Sequence, residues 1–525
     1  MNKTQQKIFI FFLILFSIYC SLSLGQSWDE TFHLTQGKIT LNYLLSLGHI
    51  DKDIFMREYY SPVYWSLLYL ATQVFPPQYQ IEASHIVNLI MSLGTVVGIG
   101  KLTEELFNKK VGKITLLILF FYPVFFGHMS FNSKDTILAF GHVWITYLLL
   151  KYLKKQNVKE KVQNYIFGIG FLAALSSGIQ LVFLGSLIPI ILLVLLDIFF
   201  TKKFICKNFN LNNFFLDVGK CFLIFYIVLV IFWIDVHPNI IMFPFQIFQE
   251  TLSSDYWTGW PFNLINGNYY LSSEIPKSYL LINFFYKSPE YFLISYFLFL
   301  ILFFNSKAFF LKKFKFFYYK ISAIILLLLF PNLILFIIPY PVYDGMRLFL
   351  WTIPYFCIIP GITIYYLIEH LSLIKQKITF IFLSVFIFYF LFNFFLITPY
   401  QYTYLNIFNG KMENRYKKFE NDYWGVSINE LLKHAPFESD KTIMIASCGV
   451  NSDISKNYLR KMGYSNLLFV EPDKANYIIM TNRAIVDHQI NADTKKLTNC
   501  FEKYDGENLS EVKRLGLTLS VIRKN

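Results

Sequence analysis

Charged residues are scarce in this sequence. Only 15% of its 525 residues are Asp, Glu, Lys or Arg, whereas 55% are hydrophobic and 20% are aromatic. This balance excludes an ordinary soluble protein, and the apolar residues are gathered into repeated blocks. Each block has about the 20 residues that a helix needs to cross a bilayer. The composition therefore predicts a polytopic α-helical membrane protein.

Acidic residues are fewer than basic ones. The chain has 34 Asp and Glu against 47 Lys and Arg, which gives a formal net charge of +13. In a soluble protein such a charge would suggest nucleic acid as a partner. Here the lysines cluster between the apolar blocks, as they do in the cytoplasmic loops of membrane proteins. We therefore expect membrane lipids, and no nucleic acid, among the partners.

Several well-known motifs are missing. The sequence has no phosphate-binding P-loop, no dinucleotide fingerprint and no His-Glu-x-x-His zinc motif. Nucleotide-driven transport and metalloprotease activity therefore lose support. The six cysteines show no metal-ligand spacing. Cys448 and Cys500 lie in the polar C-terminal region and would be able to form a disulfide if that region is extracytoplasmic. The sequence leaves that pairing open.

The apolar blocks predict about eleven membrane spans. The first runs from Ile8 to Leu24, and no small-x-small cleavage site follows it, so we expect a retained span with a cytoplasmic N-terminus. The others are predicted at roughly 81–100, 111–128, 136–153, 164–183, 185–200, 221–236, 290–305, 321–339, 349–368 and 378–397. Lysines fall in alternate loops, which fixes the orientation. An odd number of spans then places the C-terminus outside the cytoplasm.

The composition changes sharply after residue 398. Residues 399–525 are polar, with short strand-like runs separated by helical stretches. This pattern predicts a small extracytoplasmic α/β domain on the end of the bundle. We therefore divide the chain into a transmembrane domain, 1–398, and a C-terminal domain, 399–525.

Two adjacent carboxylates stand where the first span leaves the bilayer. Asp29 and Glu30 are costly there unless they face water, a cation or a substrate. If the segment is helical, His33 lies one turn after Asp29 and on the same face. The alternative is an ordinary solvated exit from a helix.

A second polar cluster occupies a tight hairpin between two predicted spans. His128, Asn132, Lys134 and Asp135 are more polar groups than a turn requires. The alternative is that Asp135 merely caps the span that follows it.

Two further segments are predicted on the same side of the membrane. A long loop contains Tyr279, and Tyr343 and Arg347 enter a later span. An arginine at that depth needs an anionic partner, for which a lipid phosphate is suitable, although interfacial snorkelling is the alternative. Acids on the outer face, an arginine and a membrane cavity together suit a lipid-phosphate substrate attacked by a group from outside.

These segments, in this order, resemble the polyprenyl-phosphate-dependent GT-C glycosyltransferases. The most similar are bacterial members related to protein O-mannosyltransferases and to the aminoarabinose transferase of lipid A. Asp29-Glu30 matches the Asp-Glu pair of the family's first outer loop, and Asp135 matches the acid of the next hairpin. Three later segments are also similar, namely Ile275-Pro276-Lys277-Ser278-Tyr279 with Ser288-Pro289, Tyr343-Asp344-Gly345-Met346-Arg347, and Pro399-Tyr400-Gln401-Tyr402 with Asp422-Tyr423-Trp424-Gly425. Leu348 replaces the histidine that usually follows the family's arginine.

The resemblance implies the roles of these residues. Asp29 would be the catalytic base, Glu30 would support it, and Asp135 would complete the catalytic group. Arg347, with Tyr343 beside it, would bind the donor phosphate, and Asn132 and Tyr279 are expected to line the site. From their placement in the sequence, and not from the resemblance, we expect Lys134 near the donor phosphate and His33 and His128 along the site. No cofactor is certain, and a divalent cation held by Asp29 and Glu30 stays open.

The predicted function is therefore transfer of a hexose- or pentose-type sugar from a polyprenyl phosphate to an extracytoplasmic protein, lipid or glycan. Two alternatives remain. A transporter or flippase of a lipid-linked saccharide would more often show internal repeats and interrupted helices. A non-catalytic assembly partner would tolerate replacement of Asp29 and Asp135.

Overall fold

The protein is a helical bundle that carries a small sheet domain at its C-terminal end. A computed structural model describes residues 3–49, 59–251, 259–338, 340–435, 437, 442–487 and 496–525. The helices are α1 Lys3–Ser23, α2 Glu30–Leu45, α3 Val63–Thr72, α4 Gln80–Leu106, α5 Lys109–Phe120, α6 Pro123–His128, α7 Asp135–Lys155, α8 Lys159–Ile179, α9 Phe183–Ser186, α10 Ile188–Leu196, α11 Leu211–Phe232, α12 Met242–Thr251, α13 Tyr279–Lys287, α14 Glu290–Asn305, α15 Lys307–Lys313, α16 Phe317–Ile337, α17 Ile353–Phe356, α18 Ile358–Glu369, α19 Ile374–Leu396, α20 Ile428–Lys433, α21 Ser452–Lys461 and α22 Cys500–Lys503. The strands are β1 Phe262–Ile265, β2 Asn268–Leu271, β3 Ile443–Cys448, β4 Leu467–Phe469, β5 Tyr477–Thr481, β6 Ala484–Asp487, β7 Lys496–Asn499, β8 Asn508–Arg514 and β9 Leu517–Lys524.

Long apolar helices dominate the first 396 residues. In the part of the chain that the structure describes, nine helices are long and apolar enough to cross a membrane. The count becomes ten if α13 and α14, which meet at a bend of 113°, form one broken span. The protein is thus a multi-pass membrane protein, and the predicted fold class is confirmed. The predicted number of about eleven spans is one or two too high by this measure.

The difference in span count has a local cause in the predicted span at 111–128. The chain there forms two helices, α5 and α6, because Pro123 interrupts the segment. Proline has no backbone N–H and disfavours helical geometry in the residue before it. Tyr122 accordingly adopts an extended conformation, with ψ at 114°. The interruption leaves α5 too short to count as a span, although α5 and α6 together still lead from one end of the bundle to the other.

Lysines mark one end of the bundle. Lys110 lies 2.6 Å from Glu369, and Lys151 and Lys154 lie 2.8 and 2.9 Å from Glu105. These ion pairs join the ends of α4, α5, α7 and α18, which brings several of the lysine-rich loops together. The polar segments singled out in the sequence gather at the opposite end.

The C-terminal residues form a five-stranded sheet in the order β4-β3-β5-β9-β8. Strand β3 pairs parallel to β4 and β5, whereas β9 pairs antiparallel to β5 and β8. A disulfide joins Cys448 at the end of β3 to Cys500 at the start of α22. This is the small α/β domain that the sequence predicts, while the boundary between residues 398 and 399 stays a prediction.

The sheet domain and the bundle are joined by backbone contacts. After α1, the N–H of Gly25 donates to the carbonyl of Val426 at 3.0 Å, and the N–H of Trp28 donates to the carbonyl of Trp424 at 3.2 Å. The chain that leaves the first helix is therefore held against the segment that precedes the sheet. Asp29, the next residue, is placed by this contact.

Helix α6 packs closely against the segment that follows α19. A Cβ atom added to Gly127 would lie 2.2 Å from the backbone nitrogen of Tyr402. The neighbour is backbone, so it has little freedom to move away from a larger side chain. Glycine is required at position 127 because of this close approach.

We expect Gly127→Ala to destabilise the protein by about 1–3 kcal/mol, since a methyl group forced into a packed contact shifts the backbone. Thermal unfolding in detergent measures the effect. Gly219→Ala is the matched control, because nothing lies within 4 Å of a Cβ added to Gly219. Equal melting temperatures for the two variants would contradict the close packing at Gly127.

Candidate active site

Arg347 lies at the centre of a cluster of carboxylates. Its Nε donates to Oδ2 of Asp135 at 2.9 Å, and its Nη1 donates to Oδ2 of Asp344 at 2.7 Å. Its Nη2 donates to Oδ2 of Asp29 at 3.3 Å. Each nitrogen of the guanidinium therefore faces a different aspartate. The structure brings together three of the site residues predicted from the sequence, Asp29, Asp135 and Arg347.

The three aspartates differ in their access to solvent. The side chains of Asp135 and Asp344 are 2% and 1% exposed, whereas that of Asp29 is 35% exposed. The contact from Arg347 to Asp29 is also the longest of the three. Asp29 is consequently the acid of this cluster that a molecule from outside can reach.

Neither Asp29 nor Asp135 is occupied in capping a helix. Asp29 stands before α2, and its side chain makes no capping hydrogen bond. At the start of α7, Oδ1 of Asn132 accepts the N–H groups of Lys134 and Asp135 at 3.2 and 2.9 Å. Asn132 therefore does the capping that the alternative interpretation assigned to Asp135.

A chain of hydrogen bonds orients Asp135. The Nδ2 of Asn132 donates to Oδ2 of Asp135 at 2.9 Å and lies 3.2 Å from Nδ1 of His128. The Nε2 of His128 lies 2.9 Å from the hydroxyl of Tyr423. His128 and Asn132 thus support Asp135 from behind. The Oδ1 of Asp135 is buried and has no hydrogen-bond partner among the described residues.

The backbone at Asp344 is unusual. Asp344 and Gly345 both have positive φ angles, 58° and 65°. Left-handed backbone costs an L-residue energy and is typically retained where the surrounding structure requires it. This turn places the Asp344 carboxylate within hydrogen-bond distance of Arg347, which follows three residues later in the sequence.

Aromatic rings cover the guanidinium. The carbon Cζ of Arg347 lies 4.1 Å from the ring centroid of Trp424 and 5.5 Å from that of Tyr343. Rings at this distance attract a cation and exclude water from it. Tyr343, predicted at the donor phosphate, therefore contacts the arginine directly.

Lys134 lines a cavity of about 100 Å³ next to the carboxylate cluster. Its Nζ donates to the hydroxyl of Tyr60 at 3.2 Å. Tyr343 and Leu348 also line this cavity, so the position where the family has histidine borders it. Burial alone lowers the pKa of Lys134, but Tyr60, Tyr343 and Asp135 together raise it above the ordinary value. The ammonium group therefore stays charged.

His33 lies beside this cluster as a neutral side chain. Burial lowers its pKa well below the ordinary value, and Lys134 and Arg347 lower it further. Its Nδ1 lies 2.8 Å from the hydroxyl of Ser133, and its ring stacks on Trp65 with centroids 4.3 Å apart. This neutral imidazole positions the hairpin that carries Lys134 and Asp135.

Glu30 points away from Arg347. Its Oε1 lies 2.8 Å from Nε2 of His85, and its Oε2 accepts the N–H of Ser27 at 2.5 Å. The side chain is 3% exposed. These contacts close the first turn of α2 and attach it to α4. The sequence analysis expected Glu30 to support Asp29, but in the structure both of its carboxylate oxygens contact other residues.

Behind Asp344 lies a second layer of charged groups from the C-terminal domain. Arg483 hydrogen-bonds through Nη1 to Oδ1 of Asp344 and lies 3.6 Å from Oε1 of Glu420. Burial raises the pKa of Glu420 to about 7, although Arg483 opposes that rise. Tyr279 is buried beside Asp344 in this layer, and both line a small cavity together with Lys287.

Sequence reasoning missed Asp344, Arg483 and Glu420 as members of the site. Asp344 stands within the quoted Tyr343–Arg347 motif, so that motif was the available signal. Arg483 and Glu420 follow no recognisable pattern, since one comes after β5 and the other after a polar loop.

The carboxylates do not suit a divalent cation in this arrangement. No group of three or more His, Cys, Asp or Glu side chains able to hold a metal occurs within the described ranges. Asp29 and Asp135 share the same arginine, and Glu30 faces His85. A cation between Asp29 and Glu30 would need both side chains to turn away from their partners.

Residues 60–216 match the family model described as dolichyl-phosphate-mannose-protein mannosyltransferase. The crystal structure of ArnT from Cupriavidus metallidurans in the apo state aligns with a TM-score of 0.51 at 10% identity, covering 99% of this chain and 98% of that chain. The crystal structure of the same protein bound to undecaprenyl phosphate aligns with a TM-score of 0.51 at 10% identity, covering 100% of this chain and 98% of that chain. The crystal structure of the apo oligosaccharyltransferase of Archaeoglobus fulgidus aligns with a TM-score of 0.48 at 10% identity, covering 88% of this chain and 65% of that chain. No curated protein sequence matches significantly.

The fold is that of the GT-C membrane glycosyltransferases, and the predicted resemblance to that class is confirmed. Within the class, residues 60–216 are similar to the dolichyl-phosphate-mannose-protein mannosyltransferases. Over nearly its whole length the chain is similar in fold to ArnT from Cupriavidus metallidurans.

We expect Glu30→Gln to lower stability by about 1–3 kcal/mol, because it removes the charge from a buried group whose partners would be left poorly satisfied. Thermal unfolding in detergent measures the loss. Asp29→Asn is the control, since Asp29 is partly exposed and Arg347 keeps two other carboxylates. A Glu30→Gln protein as stable as wild type would show that the His85 contact contributes little.

Proposed function

We propose that the protein is a membrane glycosyltransferase. It transfers one hexose- or pentose-type sugar from a polyprenyl-phosphate donor to an extracytoplasmic protein, lipid or glycan. The observation that carries this proposal is the convergence of Asp29, Asp135 and Arg347 beside the cavity lined by Lys134. Acid and cationic groups lie together at one end of a membrane bundle.

Asp29 is proposed as the general base. Its Oδ2 accepts from Arg347, while its Oδ1 accepts no hydrogen bond from the described residues, and the side chain is 35% exposed. A hydroxyl or amine of the acceptor can approach from the solvent side and give its proton to this oxygen. The acceptor atom then bonds to the anomeric carbon as the bond from that carbon to the phosphate breaks.

The departing phosphate remains on the lipid and needs positive charge. Lys134 supplies it from the wall of the cavity, and Tyr60 fixes its ammonium group. Arg347 is already neutralised by carboxylates, so it reaches the phosphate only by giving up a contact. Of its three hydrogen bonds to carboxylates, the one to Asp29 is the longest, at 3.3 Å, and involves the most exposed acid. We therefore expect this hydrogen bond to break first. ArnT in complex with undecaprenyl phosphate supports a lipid phosphate as the donor carrier.

The proposed orientation has the N-terminus in the cytoplasm and the C-terminal domain outside. The lysine-rich end of the bundle, held by the pairs of Glu105 and Glu369, then faces the cytoplasm, as the positive-inside rule requires. The Cys448–Cys500 disulfide favours an oxidising compartment for the C-terminal domain. The carboxylate cluster consequently meets acceptors of the outer compartment.

We expect Asp29→Asn to lower kcat by about 100-fold or more, because an amide cannot accept the proton of the acceptor. Purified protein in lipid is incubated with radiolabelled polyprenyl-phosphate sugars and an envelope extract, and label on the acceptor is counted. The control is Asp473→Asn, at an exposed carboxylate of the C-terminal domain. Equal rates of transfer by Asp29→Asn and wild type would show that Asp29 is not the general base. Movement of the donor across vesicles, with no transfer, would indicate a transporter.

We expect Lys134→Met to weaken binding of polyprenyl phosphate by about 10-fold, since a charge-assisted contact to phosphate is lost. Binding is followed by the shift in melting temperature on titration with the lipid. Lys277→Met, at an exposed lysine of the loop before α13, serves as the control. If both variants bind as wild type does, the phosphate site lies elsewhere.

A further inference from the structure

We propose that Arg483 of the C-terminal domain is a positioning residue of the transfer site. It holds Asp344 in the orientation that fixes Arg347, and thereby sets the position of Asp29 and Asp135. The inference rests on the proposed function, because it concerns the same site. The proposal adds a residue of the C-terminal domain to those that position the groups of that site.

The contacts form a continuous bridge. Oδ1 of Asp344 is bound by Nη1 of Arg483, while Oδ2 of the same carboxylate is bound by Nη1 of Arg347 at 2.7 Å. One aspartate is thus clamped between two guanidinium groups. The side chains of Arg483 and Asp344 are 5% and 1% exposed, so water does not replace either partner.

Removal of Arg483 would free one oxygen of Asp344. The carboxylate could then rotate, and Nη1 of Arg347 would lose its fixed acceptor. The other contacts of Arg347 go to Asp135 and Asp29, so its displacement would move both acids. Displacements of about 1 Å in a reaction site can reduce rates by about 100-fold. Arg483 acts through Asp344 and Arg347, and it is not among the described residues that line the cavity beside Lys134.

The C-terminal domain holds Arg483 rigidly. A Cβ added to Gly449 would lie 2.4 Å from the Cβ of Arg483, so the backbone beside Cys448 lies directly on the arginine. The carbonyl of Arg483 accepts the N–H of Cys500 at 3.0 Å. The disulfide joins these two flanking segments. The ring of Trp260, 4.6 Å from Cζ of Arg483, covers its guanidinium.

Charge gives this role a measurable signature. Arg483 faces Asp344, Glu420 and Tyr423, with Arg347 and Lys287 nearby. Loss of a cation raises the proton affinity of neighbouring carboxylates. The acidic limb of the kcat profile should then shift to higher pH. A role confined to folding would leave that limb where it is.

The test compares Arg483→Gln with Arg514→Gln in full-length protein in lipid. Arg514 also joins the C-terminal region to the chain beyond the bundle, with Nη2 donating to Glu430 at 2.7 Å and Nε donating to the carbonyl of Thr398 at 3.0 Å, but it lies outside the carboxylate cluster. We expect Arg483→Gln to lower kcat about 10- to 100-fold and to shift the acidic limb upward. Arg483→Lys should recover part of the rate, and Arg514→Gln should behave as wild type does.

A double variant separates positioning from folding. Arg483→Gln leaves Glu420 buried without its cation, so Glu420→Gln should restore thermal stability to that background. Low kcat in the stable double variant supports the positioning role. Recovery of the wild-type rate and pH profile together with stability would overturn it. Unchanged kcat and pH profile in Arg483→Gln would overturn it as well.

Two further readouts distinguish the proposal from the function on which it rests. If wild type transfers no sugar, the proposed function fails, and binding of polyprenyl phosphate then decides the role of Arg483. Weaker binding in Arg483→Gln than in Arg514→Gln supports the role, and equal binding overturns it. Reduction of the disulfide should lower wild-type kcat but leave a Cys448→Ser/Cys500→Ser variant unaffected. Equal rates in reduced and oxidised wild type would overturn the part assigned to the disulfide.

Discussion

The organisation of this protein depends on one buried cation, the guanidinium of Arg347. A charge removed from water is costly unless opposite charges and hydrogen bonds replace the lost solvent. Asp29, Asp135 and Asp344 supply both, and they come from the start of α2, the start of α7 and the turn that precedes Arg347. These elements must therefore meet at one end of the bundle. The same requirement that stabilises the arginine assembles the acids proposed for the chemistry.

The unequal burial of the three acids gives them different properties. Asp135 and Asp344 are sealed by protein, so they serve as fixed counter-charges, whereas Asp29 borders solvent and keeps one oxygen unpaired among the described residues. A base must meet its substrate, and a counter-charge must not be displaced by water. Lys134 extends the cluster toward the adjacent cavity, so that a positive charge lies in the cavity wall proposed to receive the donor phosphate.

The sequence predicted the broad class well, because apolar length and lysine distribution are local properties of the chain. It also singled out Asp29, Asp135 and Arg347, at the ends of apolar segments, and the structure brings these three residues together. It failed where a contact decided the outcome. Glu30 is adjacent to Asp29 in the sequence, yet its side chain pairs with His85. Near Pro123 the helix is broken although the hydropathy is unaffected, so the predicted span at 111–128 consists of two shorter helices.

The sequence by itself determined a multi-pass helical membrane protein with a polar α/β domain at its end, and which segments carry unusual polar residues. The tertiary structure alone decided which of those residues meet. Asp29 and Asp135 lie 318 and 212 positions from Arg347 along the chain, and Arg483 enters from a separate domain. Ion pairs at such separations leave no periodic pattern in the chain. They arise only when packing of the bundle and docking of the sheet domain bring the charges together in a low-dielectric interior.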